Sequence, residues 1–321
     1  MTPLHIPTPL ISHAPLSATQ GRDVLLKMES LQPSGSFKLR GLGLMCQRAV
    51  ASGATHLVCP SGGNAGFAAA VSGVALGVRT TIVVPRTTAP SVRERIASIG
   101  ATVVVHGSVW DEANLEALRY CSEPGAVYVP PFDHADIWDG NATLIDEAAA
   151  QVDEPFDAVI CSVGGGGLLC GVLQGLHRNG LRHVPVIAVE TDGAASFSMS
   201  VQAGRLVTLP AITSIATTLG AKTVALAALD WTAKHEIACV TVTDTQAVAA
   251  CLAFANDMRT LVEPACGASL AVVYDNHPAV RRFKRPLVVV CGGIGVDLVK
   301  LAGWKNQFML APPPQHPLQE T

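Results

Sequence analysis

The chain of 321 residues carries 22 Lys and Arg against 25 Asp and Glu, a formal net charge of −3, and is 49% hydrophobic but only 15% charged, where about 25% charged is usual. No basic block is present to neutralise phosphates, which excludes nucleic acid as a main partner, and the composition excludes disorder over most of the chain. The length indicates about two domains, and so little charge implies a large interior extended by burial between subunits, so a homodimer is expected.

Residues Met1 to Gln20 lack a cationic segment and contain four prolines, so no signal peptide is expected. The segment Pro33-Ser34-Gly35-Ser36-Phe37-Lys38-Leu39-Arg40-Gly41 sets a lysine beside an aromatic ring among small polar residues. His56 to Cys59 reads as a strand, followed by a helix from about Asn64 to Leu76. Then come a strand Thr81 to Val84, a helix around Ser91 to Ile99, a strand Thr102 to Val105, a helix Trp110 to Tyr120 and a strand Val127 to Val129. A second set of strands follows at Ala158 to Cys161, Val186 to Val189, Ala238 to Val242 and Leu287 to Cys291. Helical patterns between them cover Leu168 to His177, Thr245 to Met258 and Pro264 to Tyr274. Continuous β-branched runs alternating with helices predict an α/β fold of two open parallel sheets, each covered by helices on both faces. The tail from Ala311, with three consecutive prolines, reads as unstructured.

Two long stretches, Ala49 to Val78 and Ala158 to His177, contain no Lys, Arg, Asp or Glu. Each is broken by a glycine-rich turn, so neither offers the ~18 uninterrupted apolar residues of a membrane span. The nine cysteines are scattered without a C-x-x-C pair, which reads as reduced thiols in a cytoplasmic protein. The ten histidines never recur at metal-ligand spacing, and no Ser-His-Asp arrangement is indicated.

Three strand ends are glycine-rich: Ser61-Gly62-Gly63-Asn64-Ala65-Gly66, Gly164-Gly165-Gly166-Gly167-Leu168 and Gly292-Gly293-Ile294-Gly295. None completes a dinucleotide fingerprint and none precedes a Walker lysine, although a non-catalytic nucleotide-binding module stays open on these turns alone. Ligands of open α/β sheets bind beyond the C-terminal strand ends, where helix N-termini offer unpaired N–H groups. Two such turns make anion binding a better account than tight packing. A lysine on a Ser-Phe platform upstream of them suits a Schiff-base lysine that holds a flat ring cofactor.

At these residues the sequence resembles the serine/threonine dehydratases, pyridoxal-phosphate (PLP) enzymes of fold type II, the tryptophan-synthase-β type. The resemblance runs in order through Pro33 to Gly41, Ser61 to Gly66, Ser162 to Gly171, Val189 to Ala194, Leu261 to Ala268 and Val290 to Gly293, and is closest to the mammalian-type L-serine dehydratase (serine ammonia-lyase) branch. It implies a large PLP-binding domain of residues 1–38 and 133–321, and a small domain of residues 39–132 that closes on the substrate. Lys38 would hold pyridoxal 5'-phosphate covalently and remove the Cα proton of bound serine, and Phe37 would cover one ring face. Ser61, Gly62, Gly63, Asn64 and Ala65 would bind the substrate carboxylate, with Asn64 also reaching the ring hydroxyl. Gly164, Gly165, Gly166, Gly167 and Leu168 would hold the phosphate, and Cys291 would face the pyridine nitrogen. A monovalent cation, K⁺ by size, would be held by Glu190, Ser196 and the carbonyls of Gly164, Ala194, Leu219 and Ala221.

A neutral thiol at the pyridine nitrogen makes a weaker electron sink than a carboxylate partner does, which favours loss of a β-hydroxyl over racemisation. The implied activity is conversion of L-serine, and of L-threonine, to the 2-oxo acid and ammonia. A threonine-preferring dehydratase and a serine racemase share most of these motifs. Two positions depart from the family: Gly62, where relatives often carry Ala or Ser, and Thr218, where the mammalian-type enzymes carry Ala against the second ring face. No isoleucine feedback is expected, because no C-terminal regulatory domain follows. Glu263, ahead of a helix, reads as an acid that favours the helix dipole.

Overall fold

The computed structural model describes residues 2–310; the tail from Ala311 lies outside the described residues. Strands β1 (Leu10–Ser12) and β2 (Leu25–Lys27) flank helix α1 (Ala14–Gln20), and α2 (Lys38–Ala51) follows. The next block alternates β3 (His56–Cys59), α3 (Asn64–Leu76), β4 (Arg79–Val84), α4 (Pro90–Ser98), β5 (Thr102–Val105), α5 (Trp110–Tyr120) and β6 (Ala126–Tyr128). Helix α6 (Ala135–Ala150) leads to β7 (Ala158–Ser162), α7 (Gly167–Arg178), β8 (Val186–Thr191), α8 (Ser196–Ala203) and α9 (Leu226–Asp230). The chain continues through β9 (Ile237–Val242), α10 (Asp244–Met258), α11 (Pro264–Tyr274), β10 (Pro286–Val289) and α12 (Leu298–Gln307).

Two sheets result, one of four strands in the order β5-β4-β3-β6 and one of six in the order β1-β2-β10-β7-β8-β9. Every pairing is parallel except β1 with β2, where Ile11 faces Leu26 in antiparallel register. The two parallel sheets expected are found, with one antiparallel strand added at an edge of the larger. Three-residue strands around a seven-residue helix carry no periodic signal for a sequence reading to detect. Central strands β3, β7, β8 and β10 are buried at every residue, as strands covered on both faces must be. Edge strand β9 instead alternates toward its C-terminal end, and Val240 and Val242 point inward between exposed neighbours.

Helices α2 and α7 both pack on α6. A Cβ on Gly41 would lie 2.5 Å from the Ile137 carbonyl oxygen, one on Gly140 would lie 2.4 Å from that of Arg40, and one on Gly171 would lie 2.4 Å from Asn141 Cβ. Only hydrogen fits at these crossings, so the helix that begins at Lys38 and the helix that follows the four glycines are held at fixed distance from one another. No helix among the described residues is long and apolar enough to cross a membrane.

Candidate active site

Three glycine-rich turns follow the C-terminal ends of β3, β7 and β10, the last two of which are neighbours in the larger sheet. The lysine segment is tied to the turn after β10. Phe37 N–H donates to the Cys291 carbonyl at 3.2 Å, Gly293 N–H donates to the Gly35 carbonyl at 2.9 Å, and Ser36 bridges Gly292 in antiparallel fashion. Lys38 begins α2 directly beyond this lacing. Its Nζ donates to the Pro131 carbonyl at 2.6 Å and lies 5.3 Å from the Phe37 ring centroid.

Burial lowers the Lys38 amine to about 8, against the opposing influence of Cys59, Cys291 and Glu263 nearby. Its pairing with the Cys266 thiol, together with its burial, pushes the Cys291 thiol well above its ordinary range, so at neutral pH it is an uncharged S–H. The chain thus sets a readily deprotonated amine and a neutral thiol at one location. Phe37 and Lys38 are both partly exposed there.

Two helix N-termini open onto the same region without side-chain caps. Helix α7 starts at Gly167 after Gly166, whose φ of +91° is in the left-handed region that favours glycine, and helix α3 starts at Asn64 after Gly63. Uncapped N-termini present unpaired N–H groups and the positive end of the helix dipole. The four-glycine run has a packing cause as well: a Cβ on Gly165 would lie 2.3 Å from the Phe132 ring, and one on Gly167 would lie 2.7 Å from the Phe132 carbonyl oxygen. Asn141 Nδ2 fixes the run from beneath through the Gly167 carbonyl at 3.0 Å. In the turn after β3, a Cβ on Gly66 would lie 1.7 Å from the Ser61 carbonyl oxygen. Gly66→Ala must therefore displace Ser61 to Ala65, the residues expected to bind a substrate carboxylate, and on that expectation KM should rise about 10²-fold in steady-state kinetics.

Glu263 stands at the start of a helix, as expected, but its carboxylate is used elsewhere. It precedes α11 but makes no side-chain cap to it. Although it is only 3% exposed, its carboxylate reaches into the site. Oε1 accepts from Asn64 Nδ2 at 2.7 Å and from Thr218 Oγ1 at 2.6 Å, and Oε2 accepts from Gly295 N–H at 3.1 Å. Asn64 Oδ1 in turn accepts from Ile294 N–H at 2.8 Å. Burial raises the Glu263 carboxyl above its usual range, and the hydrogen bonds from Thr218, Asn64 and Gly295 oppose the rise. The extra hydroxyl at Thr218 is thereby satisfied. Its methyl Cγ2 is 3.8 Å from where a Cβ on Gly63 would sit, so the turns of the two sheets face one another across the site.

The residues expected around a cation are brought together in part. Gly164 backs onto the turn at Thr218 and Leu219, 3.0 Å from Leu219 Cα to a Cβ built on the glycine. Glu190 is fully buried and holds the start of α8: Oε1 accepts from Phe197 N–H at 2.8 Å, and Oε2 accepts from Ser198 N–H at 2.8 Å and Ser198 Oγ at 2.6 Å. The Ser196 hydroxyl is buried without a hydrogen-bond partner. Ala194 closes the turn after β8 through Thr191, and the Leu219 carbonyl accepts from Ala221 N–H at 2.8 Å. Sequence reasoning missed Pro131, Phe132 and Asn141, because nothing in a Pro-Pro-Phe run or a mid-helix asparagine marks which loop it will touch. A shallow surface groove lined by Phe156, His183, Glu236 and Arg282 lies at the opposite, N-terminal strand ends and takes no part in this constellation.

Comparison with known proteins places these residues in context. The family model described as "Pyridoxal-phosphate dependent enzyme" matches residues 1–292. A human protein named L-serine dehydratase/L-threonine deaminase is 48% identical over 316 residues, covering 95% of this chain and 96% of its own. A second human protein, named serine dehydratase-like, is 47% identical over 316 residues, 95% of both chains. Among solved structures, a fungal L-serine ammonia-lyase from Rhizomucor miehei superposes with a TM-score of 0.91 at 38% identity, covering 95% of this chain and 99% of that one.

Proposed function

The chain belongs to the pyridoxal-phosphate dependent enzyme family, and we propose that it is a carbon–nitrogen lyase that converts L-serine, and L-threonine, to the 2-oxo acid and ammonia. The names of the relatives support this reading, and one observation of geometry carries it. An amine held at about 8 stands beside a neutral thiol, between two uncapped helix N-termini.

These residues fit the cofactor. The amine of Lys38 can hold an aldehyde, the α7 N-terminus with its four glycines can hold a phosphate, and the half-buried Phe37 and the exposed Thr218 are accessible to a ring. The cofactor, when bound, would supply a sink for the electron pair left behind as Cα loses its proton. Lys38 Nζ takes that proton, while the turn Ser61 to Ala65 and the α3 N-terminus orient the substrate carboxylate. The Cα proton and the departing β-hydroxyl make up the water released, and hydrolysis of the resulting enamine gives the oxo acid and ammonia. The neutral Cys291 thiol would hold the ring nitrogen without fully protonating it, which would favour elimination. Racemisation needs a second acid–base group on the opposite face. Gly62 supplies no side chain there, and Thr88 fills the space beside it, 2.8 Å from where a Cβ would be. A nucleotide-binding module is set aside by the family match.

Residues 39–132 form the unit that closes on the substrate in this reading, with residues 1–38 and 133–321 as the cofactor-binding remainder. A monovalent cation, K⁺ by size, sits among Ser196 and the carbonyls of Gly164, Ala194, Leu219 and Ala221. The unpartnered Ser196 hydroxyl supports it, and Glu190 contributes through α8. A homodimer is supported by the low charge, and a cytoplasmic location by nine free cysteines. The amine of Lys38 must be neutral to take up an aldehyde, so covalent uptake of the cofactor by cofactor-free protein should accelerate as pH rises through about 8 and level off above it, as read by absorbance in stopped flow. Oxo-acid release across L-serine, L-threonine and their D-forms tests the reading as a whole. Release from the L-forms is expected, whereas conversion of L- to D-serine without oxo acid would overturn it.

A further inference from the structure

Two features are not explained by the reaction as described: the far half of the turn Gly292-Gly293-Ile294-Gly295, beyond its lacing to the lysine segment, and the buried acid Glu263. Each accounts for the other. Gly293 has a φ of +126°, and a Cβ on it would lie 2.0 Å from Glu263 Cδ; one on Gly295 would lie 2.7 Å from Oε2. The turn after β10 is therefore shaped around this carboxylate. Its backbone completes the arrangement, since Gly295 N–H binds Glu263 and Ile294 N–H binds Asn64 Oδ1.

Asn64 belongs to the turn after β3 in the smaller sheet, and both ends of its amide are gripped from the larger-sheet side. One Nδ2 hydrogen goes to Glu263 Oε1 and the Oδ1 goes to Ile294 N–H. Reversing the amide would set oxygen against carboxylate and amine against N–H, so only one orientation is allowed, and it leaves the second Nδ2 hydrogen for the site. The same Oε1 takes the Thr218 hydroxyl, which leaves the Thr218 methyl beside the cleft. A carboxylate this deeply buried is costly unless every oxygen is satisfied, and here three donors from three separate segments satisfy it.

We infer that Glu263 is a positioning residue of the elimination reaction: it ties the substrate-carboxylate turn to the turn after β10 and fixes the one productive orientation of the Asn64 amide. This inference rests on the elimination reading for its kinetic consequence but not for its structural one. Glu263→Gln keeps the shape but replaces one acceptor with a donor, so one of the three contacts must fail whichever way the amide turns. The expected result is a kcat for L-serine lowered about 10²-fold, with melting temperature and cofactor absorbance retained. Asn64→Ala added to Glu263→Gln should cost little more than either change alone, because the two act as one unit. In the purified full-length protein, hydrogen exchange at the Ile294 and Gly295 amides should accelerate about tenfold or more in Glu263→Ala. Unchanged exchange at both amides, or kinetic losses that multiply in the double variant, would overturn the inference. The exchange measurement needs neither turnover nor cofactor, so a wild type that releases no oxo acid would fell the elimination reading alone.

Discussion

Replacing Lys38 by Ala is expected to abolish the yellow colour of the purified protein and to lower kcat/KM for L-serine by about 10³-fold or more. The size of the effect follows from the two tasks that converge on one amine, cofactor attachment and removal of the Cα proton. Among the described residues, the groups that influence the charge of Nζ are Cys59, Cys291 and Glu263, none of them a second amine; the Cys59 thiol is pushed up by burial, and the Cys291 thiol by its hydrogen bond with Cys266 and by burial. The variant should fold normally, since the α2 start is held by backbone lacing to the Cys291 turn and not by the Lys38 side chain. Absorbance spectra and oxo-acid assays, with circular dichroism as the control for folding, check this directly.

The second large effect is on stability. Arg40, two residues beyond Lys38, is fully buried and holds Glu29 through Nε at 2.7 Å and Nη2 at 2.8 Å, and Glu147 through both terminal nitrogens at 2.7 Å. Lys27 Nζ, also fully buried, joins Glu147 at 2.8 Å. Arg40→Met leaves the buried Glu29 and the half-buried Glu147 without their main partner, which costs about 3–5 kcal/mol against a total stability of about 5–15 kcal/mol. The midpoint of urea unfolding should fall accordingly. The pH dependence follows from Glu147. Burial alone would raise its carboxyl, but hydrogen bonds from Arg40 and Lys27 outweigh burial and hold it at about 2, below the ordinary 4.5. Its contribution is therefore present above pH 4.5 and is lost as pH falls toward 2. Glu147→Gln should flatten the acid limb of the stability curve in that window, because the variant no longer has a proton to gain.

The strands that carry the site were legible in the sequence because burial on both faces writes itself as unbroken β-branched runs. His56 to Cys59 and Ala158 to Cys161 are found where those runs are, and the glycine turns after them mark the helix N-termini. What escaped notice depends on contacts between distant segments. Glu263 has the local signature of a helix-start acid, and only the arrival of Asn64, Thr218 and Gly295 from elsewhere in the chain shows that its carboxylate serves the site. The short strand β2 gains its stability from pairing with β10, and β1 from pairing with β2, not from any pattern of their own. Thr218 stands out in the sequence as a departure from the family, and its hydroxyl donates to Glu263, a partner no spacing rule names.

In the proposed reaction Lys38 holds the cofactor, and its role is the point on which the rest depends. It is tested most directly by borohydride reduction of the purified wild-type protein, followed by peptide mass mapping beside an oxo-acid assay. The account predicts that the yellow colour bleaches, that one reduced cofactor is found on the peptide containing Lys38, and that oxo-acid release from L-serine stops. A protein that stays colourless after incubation with pyridoxal 5'-phosphate, or one that carries the label on a different lysine, would contradict it.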